Sequence, residues 1–372
     1  MNSRIIILSL ILFGLQLSSS MATKPKDSTD VFNDKLAKVI RNHFEGRWFL
    51  SYHYKKEEHS EINQFAIKRS YITLKHRFNE NFKVRFTQDI TIDEEGEDIG
   101  NIEMRLKYCY ANFSINDFAF FYQPDLEVGL VHRPWNDFEE DINNYRVQGP
   151  MFLNRSGLFS SADFGLTFNS LLGGEINETY QKVVNDSYPG KYGSFSIGVY
   201  NGGGYHHFEH NHNKTIETRL TLRPFYHIIP GLQFTYFNAY GSGNIQSSPD
   251  YILHNFFISY EHRNFVVTTQ LYEGKGNSLG TFVNPMNKAF DCNGYSVFGE
   301  YKFPDYKWSF FFRYDDFKVV QSDALDRECF IWGLGYELFD DSKMIFDMEY
   351  YDQSLKENGA NFFYEIAMDL CF

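Results

Sequence analysis

The sequence predicts an all-β protein: a transmembrane antiparallel β-barrel of about sixteen strands, with short turns at one end and longer loops at the other. Three observations lead there. The first is composition. Aromatic residues make up 19% of the chain, with 39 Phe and 26 Tyr, yet 22% of residues are charged and mean hydropathy is −0.42. A soluble domain must hide so many rings in a core, whereas a membrane barrel shows them to lipid and keeps polar groups inside. The second is a period of two that runs from Gly46 to the end of the chain. The third is an export signal at the N-terminus with no later apolar run of about 18 residues, so that a membrane location requires a closed barrel.

The export signal comes first along the chain. Arg4 supplies a charged start, and Ile5 to Leu17 is apolar but too short for a membrane span. Ser20-Met21-Ala22 offers small residues at a cleavage spacing, which sets a signal peptide at 1–22; cutting after Ser18 or Ser20 is the alternative. In residues 23–45, Phe32, Leu36, Val39 and Ile40 recur at helical spacing, which predicts a short amphipathic helix on the periplasmic side. The barrel itself is expected over 46–372.

Its strands are predicted at 47–56, 63–78, 82–93, 101–115, 124–133, 160–171, 192–201, 214–226, 230–241, 251–263, 265–274, 293–303, 306–317, 328–339, 343–353 and 361–372. In the first, Trp48, Leu50, Tyr52 and Tyr54 form the lipid face. In the fourth, Met104, Leu106, Tyr108 and Tyr110 are assigned to lipid and Arg105, Lys107 and Cys109 to the lumen. The last strand puts Tyr364, Ile366, Met368, Leu370 and the terminal Phe372 on one face, which resembles the C-terminal signature read by the barrel-assembly machinery. Short turns (Asn79-Glu80-Asn81, Ile229-Pro230, Asn264, Pro304-Asp305, Asp340-Asp341-Ser342) follow even strands, and long connections (134–159, 202–213, 275–292, 318–327) follow odd ones. The connection 172–191 breaks this rule: either it hides a further strand pair or it folds back on the pore.

Alternation then assigns the lumen charges. Basic residues are Arg69, Lys75, Lys83, Arg85, Arg105, Lys107, Arg133, Arg219, Arg223, Arg263 and Arg313; acids are Asp89, Glu103, Glu261, Glu300, Asp315, Glu337, Asp347, Glu349, Glu365 and Asp369. The basic ones gather on the second to fifth and eighth strands and the acids on the last three. Such a split sets up a field across the lumen. The connection 134–159, carrying Asp137, Glu139, Glu140, Asp141, Arg146 and Arg155, is the candidate constriction loop, which would set acids opposite the basic wall.

Other chemistry is sparse. His206, His207, His210 and His212 cluster in one loop, but loop histidines without a scaffold are ordinarily solvated, and no metal is assigned. Asp93, Glu94, Glu95, Glu97 and Asp98 lack EF-hand spacing and read as a solvated acidic turn. The four cysteines, Cys109, Cys292, Cys329 and Cys371, show no metal or redox spacing and are expected mostly free. No GxSxG, HExxH or P-loop pattern is present, so no enzyme and no cofactor are expected. A net charge of −13 argues against nucleic acid.

Several segments resemble the phosphate-selective porin O and P family. They are Phe65 to Lys75 (FAIKRSYITLK), the block from Val128 to Phe168 with His132-Arg133-Pro134-Trp135 and Gly157-Leu158-Phe159, and Gly190 to Gly204 (GKYGSFSIGVYNGGG). Phe298-Gly299-Glu300-Tyr301-Lys302 with Arg313-Tyr314-Asp315 completes the set. The resemblance implies a sixteen-stranded outer-membrane channel, a homotrimer, taking up anions such as phosphate. The expected function is therefore passive diffusion of small hydrophilic solutes across the outer membrane. The alternatives are a surface receptor or adhesin, or a lipid-acting barrel enzyme.

Overall fold

The computed structural model describes residues 43–372 apart from 58–59, 94–98, 321, 323–324, 340 and 353–360. The expected leader (1–22) and residues 23–42 of the amphipathic segment lie outside the described residues, as do Glu94, Glu95, Glu97, Asp98 and Asp340.

Sixteen antiparallel strands close into a barrel. They are β1 (Phe44–Glu57), β2 (Ser60–Asn79), β3 (Phe82–Ile92), β4 (Ile102–Ser114), β5 (Phe121–His132), β6 (Ala162–Leu172), β7 (Gly193–Tyr200) and β8 (Thr215–Leu222). The second half is β9 (Leu232–Ser242), β10 (Asp250–His262), β11 (Phe265–Lys275), β12 (Asp291–Lys302), β13 (Trp308–Val319), β14 (Arg327–Glu337), β15 (Lys343–Asp352) and β16 (Asn361–Cys371). Each pairs with its chain neighbours, and β16 closes on β1 from Arg47↔Cys371 to Lys56↔Phe362. Closure leaves no unpaired sheet edge, the condition for a sheet to sit in hydrocarbon. Among the described residues no helix is long and apolar enough to cross a membrane.

The two faces of the wall differ as the alternation requires. Outward side chains such as Phe164, Leu166, Phe234, Phe256, Leu271, Phe312, Trp332 and Ile366 are exposed, whereas their inward neighbours are buried. Rings collect on the exterior towards both strand ends. At the short-turn end Phe82 stacks between Phe78 and Phe113, with centroids 5.2 and 5.1 Å away, and Trp308 meets Tyr336 at 4.8 Å. Towards the long-loop end Tyr52 meets Phe65 at 4.9 Å and Tyr350 meets Phe362 at 5.5 Å. This is the paired aromatic girdle of a wall that spans lipid.

The terminal residue sits at the seam. Phe372 exchanges backbone hydrogen bonds with Gly46 (2.8 and 3.0 Å), and its ring lies where a Cβ on residue 46 would stand. Trp48 meets the same ring edge-on at 5.1 Å. Tyr364, Ile366, Met368 and Phe372 all point outward from the last strand.

Two of the β-bulges among the described residues correct the alternation around the inner face of β2 and β4. Phe49 pairs with Arg69 and Leu50 with Ile67, so Lys68 is an extra residue on β2. Thr87 pairs with Tyr108 and Gln88 with Leu106, so Lys107 is an extra residue on β4. A bulge re-aims the residues around it. After Lys107 the faces exchange: Tyr108 and Tyr110 turn inward and are buried, and Cys109 turns out to the exposed side, the reverse of their expected assignment. Arg263 also departs from expectation, standing exposed in the β10–β11 turn rather than on the inner face. All four cysteines are free.

Much of the interior is filled from one connection. The segment between β5 and β6 folds into the barrel as α1 (Asn136–Ile142) and α2 (Phe152–Arg155). Trp135, Phe138, Ile142, Tyr145, Val147, Phe152 and Leu153 pack on inward side chains of β9 to β16, including Phe237, Phe257, Phe298, Phe311 and Ile345. The connection between β6 and β7 hides no strand pair. It folds back into the barrel, carrying α3 (Glu178–Val183), whose N-cap Asn177 accepts from the Tyr180 N–H at 2.9 Å.

Candidate functional site

The inner face of β2 to β5, together with the in-folded β5–β6 loop, makes the site. β2 contributes Lys68 and Arg69, β3 Arg85 and Asp89, β4 Arg105, Lys107, Tyr108 and Tyr110, and β5 Glu127 and His132. Across from them the loop presents Asp137, Glu140 and Arg146.

The loop is anchored around most of the circumference. On the site side, Lys68 Nζ donates to the carbonyls of Val147 (2.7 Å) and Gln148 (2.8 Å) and to Glu365 Oε2 (2.5 Å). Tyr108 Oη donates to Asp137 Oδ1 at 3.2 Å, and His132 Nε2 stands 3.0 Å from Asp137 Oδ2. On the far side, Gln270 Nε2 and Trp135 Nε1 donate to Glu139 (2.6 and 2.7 Å), and Tyr145 Oη donates to Glu300 Oε1 (2.7 Å). Arg313 Nη1 reaches the Pro150 carbonyl (2.9 Å), and Arg155 meets Glu349 at 2.5 Å. At the hinge, Arg133 is paired with Glu217 of β8, both side chains fully buried, and Arg133 lies 4.8 Å from the Phe159 ring centroid.

These contacts decide which charges are left over. Arg69 pairs with Asp89 (3.3 Å), Arg105 with Glu103 (3.3 Å), and Arg146 with Glu140 (3.0 Å). Among the described residues, Arg85 and Lys107 have no carboxylate within ion-pairing distance. Arg85 contacts Thr87 Oγ1 (3.0 Å) and His132 Nε2 (3.2 Å) and lies 4.9 Å from the Tyr108 ring centroid. Lys107 donates to Tyr71 Oη (3.3 Å) and lies 4.4 Å over the Tyr71 ring. Tyr205, from the β7–β8 loop, reaches down to Asp89 Oδ2 at 3.1 Å. The adjacent His206 is pushed down to about 4 by burial and by Arg105, so it is neutral at pH 7. Among the described residues no three His, Cys, Asp or Glu side chains converge as a metal site.

Several expected lumen residues are not open to the lumen. Arg133 is 2% exposed, and Arg219 and Arg223 are each 1% exposed. Arg219 lies under α1, 4.1 Å from the Phe138 ring centroid, and Arg223 lies 5.3 Å from the Tyr180 ring centroid. Arg313 is paired with Asp315 beneath α2, and both are buried. Lys83 and Glu337 stand exposed near the short-turn end. The acidic strands do not face the basic ones across an empty lumen. β16 adjoins β1, and Asp369 and Glu365 are taken up by Arg47 (2.6 Å) and Lys68 (2.5 Å), with Glu349 held by Arg155; Asp347 is buried beside them. Of the loop acids, Asp137 faces the basic wall, while Glu139 turns away to β11. Alternation could not reveal Lys68, because only the bulge turns it inward.

Two loop carboxyls carry a pH dependence. Burial raises Glu139 to about 7, and burial, then Asp137 and Glu140, raise Asp141 to about 7. Each folded-state pKa lies above the ordinary value, so the in-folded loop holds these protons more tightly than a released loop does. Its stabilisation is complete below pH 4 and is lost as pH rises through 7. Amide exchange over 136–142 should therefore speed up roughly tenfold or more between pH 5 and pH 8 relative to strand amides. Equal protection at both pH values would show that neither carboxyl matters to loop docking.

No family model and no curated protein matches the chain. Its shape does match solved structures. An anion-selective porin from Comamonas acidovorans superposes with a TM-score of 0.60 at 9% identity, covering 88% of this chain and 98% of that one. OprB from Pseudomonas putida gives 0.60 at 10% identity, covering 95% and 100%. OmpF from Salmonella typhi, in complex with daunomycin, gives 0.57 at 12% identity, covering 88% and 97%. At such identities the likeness establishes the fold, a closed sixteen-strand barrel of the outer-membrane porin type. It does not place the chain in the phosphate-selective family.

Proposed function

We propose that the protein is an outer-membrane, porin-like channel for passive diffusion of small hydrophilic solutes, with a preference for anions of the phosphate type. The observation that carries this reading is the pair of cations without carboxylate partners among the described residues, the half-buried Arg85 and the buried Lys107 (6% exposed), on the inner wall facing the in-folded loop. Inside a protein-walled passage their field is poorly screened, and an oxyanion is the ligand that completes the donor set of a guanidinium and an ammonium. The barrel's likeness to porins, one of them anion-selective, supports the same reading. No covalent step belongs to it. Insertion through the barrel-assembly machinery by the Phe372 signature, and assembly as a homotrimer, are part of the proposal; a related fold, OmpT of Vibrio cholerae, is described in a trimer form.

The test is the reversal potential of the refolded barrel in a planar bilayer under a KCl gradient, followed by addition of phosphate. Chloride preference with block by phosphate supports the proposal. Cation preference keeps a channel but removes the anion reading. Silence from a folded barrel redirects attention to a receptor or lipid-acting enzyme.

A further inference from the structure

The β6–β7 connection is far longer than a turn at the short end of a barrel needs, and its residues are spent inside the barrel. Residues 173–192 leave β6, form a bridge between Glu175 and Gly190, and pack α3 and the following residues beneath the constriction loop. Asn185 Nδ2 donates to the Asp141 carbonyl at the end of α1 (3.0 Å) and to Glu261 Oε2 on β10 (2.6 Å). The Tyr188 ring meets Phe138 of α1 edge-on, with centroids 5.3 Å apart. Between them lies Arg219, with its guanidinium 4.1 Å from the Phe138 centroid and 4.8 Å from that of Tyr188.

Arg219 is otherwise costly. It is buried and, among the described residues, has no carboxylate partner. It donates to the Pro134 carbonyl (2.8 Å), to Ser194 Oγ (2.8 Å) and to Thr221 Oγ1 (2.8 Å). One guanidinium thus touches the start of the constriction loop, the ring face of α1, the strut residue Tyr188 and two strands of the wall. A lone buried cation persists only where its surroundings satisfy it, here with neutral oxygens and two aromatic faces. Those surroundings exist only while the loop and the β6–β7 connection are both docked.

We propose that residues 173–192 are a strut that sets the position of the constriction loop from the periplasmic side, with Arg219 as the positioning residue that couples the two. The role in conduction rests on the channel reading; the mechanical coupling does not. The strut touches α1 at its C-terminal end and on its wall-facing ring, away from Arg85 and Lys107. It therefore governs how steadily the loop stands in the lumen and leaves the corridor's charge unchanged.

Asn185→Ala and Tyr188→Ala, singly and together, test this in barrels first shown to be folded by heat-modifiable gel mobility. The first readout is trypsin cleavage after Arg146 and Arg155, which does not depend on conduction. The second is the frequency of subconductance transitions in single-channel records. The double variant should be cleaved roughly tenfold faster and should flicker more often in proportion, while its reversal potential stays at the wild-type value. Arg219→Met should do the same, with partial rescue by Arg219→Lys, which restores a donor but not the planar stack. Wild-type cleavage rates in folded variants would overturn the strut. A silent wild-type barrel whose variants are still cleaved faster would sink the channel reading and leave the strut standing.

Discussion

Replacing Glu217 by Gln should release the in-folded loop from its hinge. Glu217 is the only carboxylate paired with Arg133 among the described residues, and both side chains are fully buried. Arg133 in turn bonds across the mouth of the loop, with its N–H on the Ser161 carbonyl and its guanidinium beside the Phe159 ring. Removing one partner of such a pair strands a buried charge, at about 3–5 kcal/mol. Arg133→Met alone should cost a similar amount for the same reason. The double variant Arg133→Met with Glu217→Gln should recover much of the loss, because no uncompensated charge remains. The measurement is a double-mutant cycle on thermal unfolding, with trypsin cleavage of the loop alongside it. Additive losses would show that the two residues act separately.

Neutralising Arg85 and Lys107 together should move the reversal potential from the anion to the cation side and weaken phosphate block. A hydrogen bond to a charged group is worth about 1.5–3 kcal/mol, so about a tenfold weaker block per neutralised residue is a cautious expectation. The comparison is Arg85→Gln with Lys107→Gln against Arg105→Gln. Arg105→Gln removes one positive charge against two and leaves Arg85 and Lys107 in place, so it should shift selectivity less than the double variant and leave phosphate block near the wild-type value. If Arg105→Gln moves the potential further than the Arg85 and Lys107 pair, the unpaired cations are not the selective element.

The fold was legible because a barrel writes itself twice into each strand. Phe362 through Phe372 alternate, and the same rhythm recurs sixteen times with turns at the right intervals. The site was legible only where the rhythm is unbroken. Arg69, Arg85 and Arg105 stand on the inner face that alternation gives them. Alternation gives Tyr108 and Tyr110 the outer face, yet they turn inward, because one extra residue at Lys107 exchanges the faces, and nothing in the residue order marks a bulge. Burial was the second gap. Alternation says that Arg219 points inward but not that α1 lies on top of it. That depends on a loop whose partners come from strands far away in the sequence. The length of 172–191 was the one visible clue to the strut; its contacts with Phe138 and Arg219 were not.

The in-folded loop and the wall that covers it lie far apart in the chain. The loop precedes nearly all of its anchors: Gln148 and Glu349, which bond at 2.8 Å, stand 201 residues apart. Gln270, Glu300 and Arg313 likewise arrive later. Without the second half of the barrel, Trp135, Phe138 and Phe152 have no wall to cover them. Their burial needs the inward side chains of β9 to β15. Burial of the loop therefore depends on the second half of the barrel, whichever strands assemble first. A partly assembled barrel lacking those strands would expose an aromatic segment of the kind that invites proteolysis and aggregation.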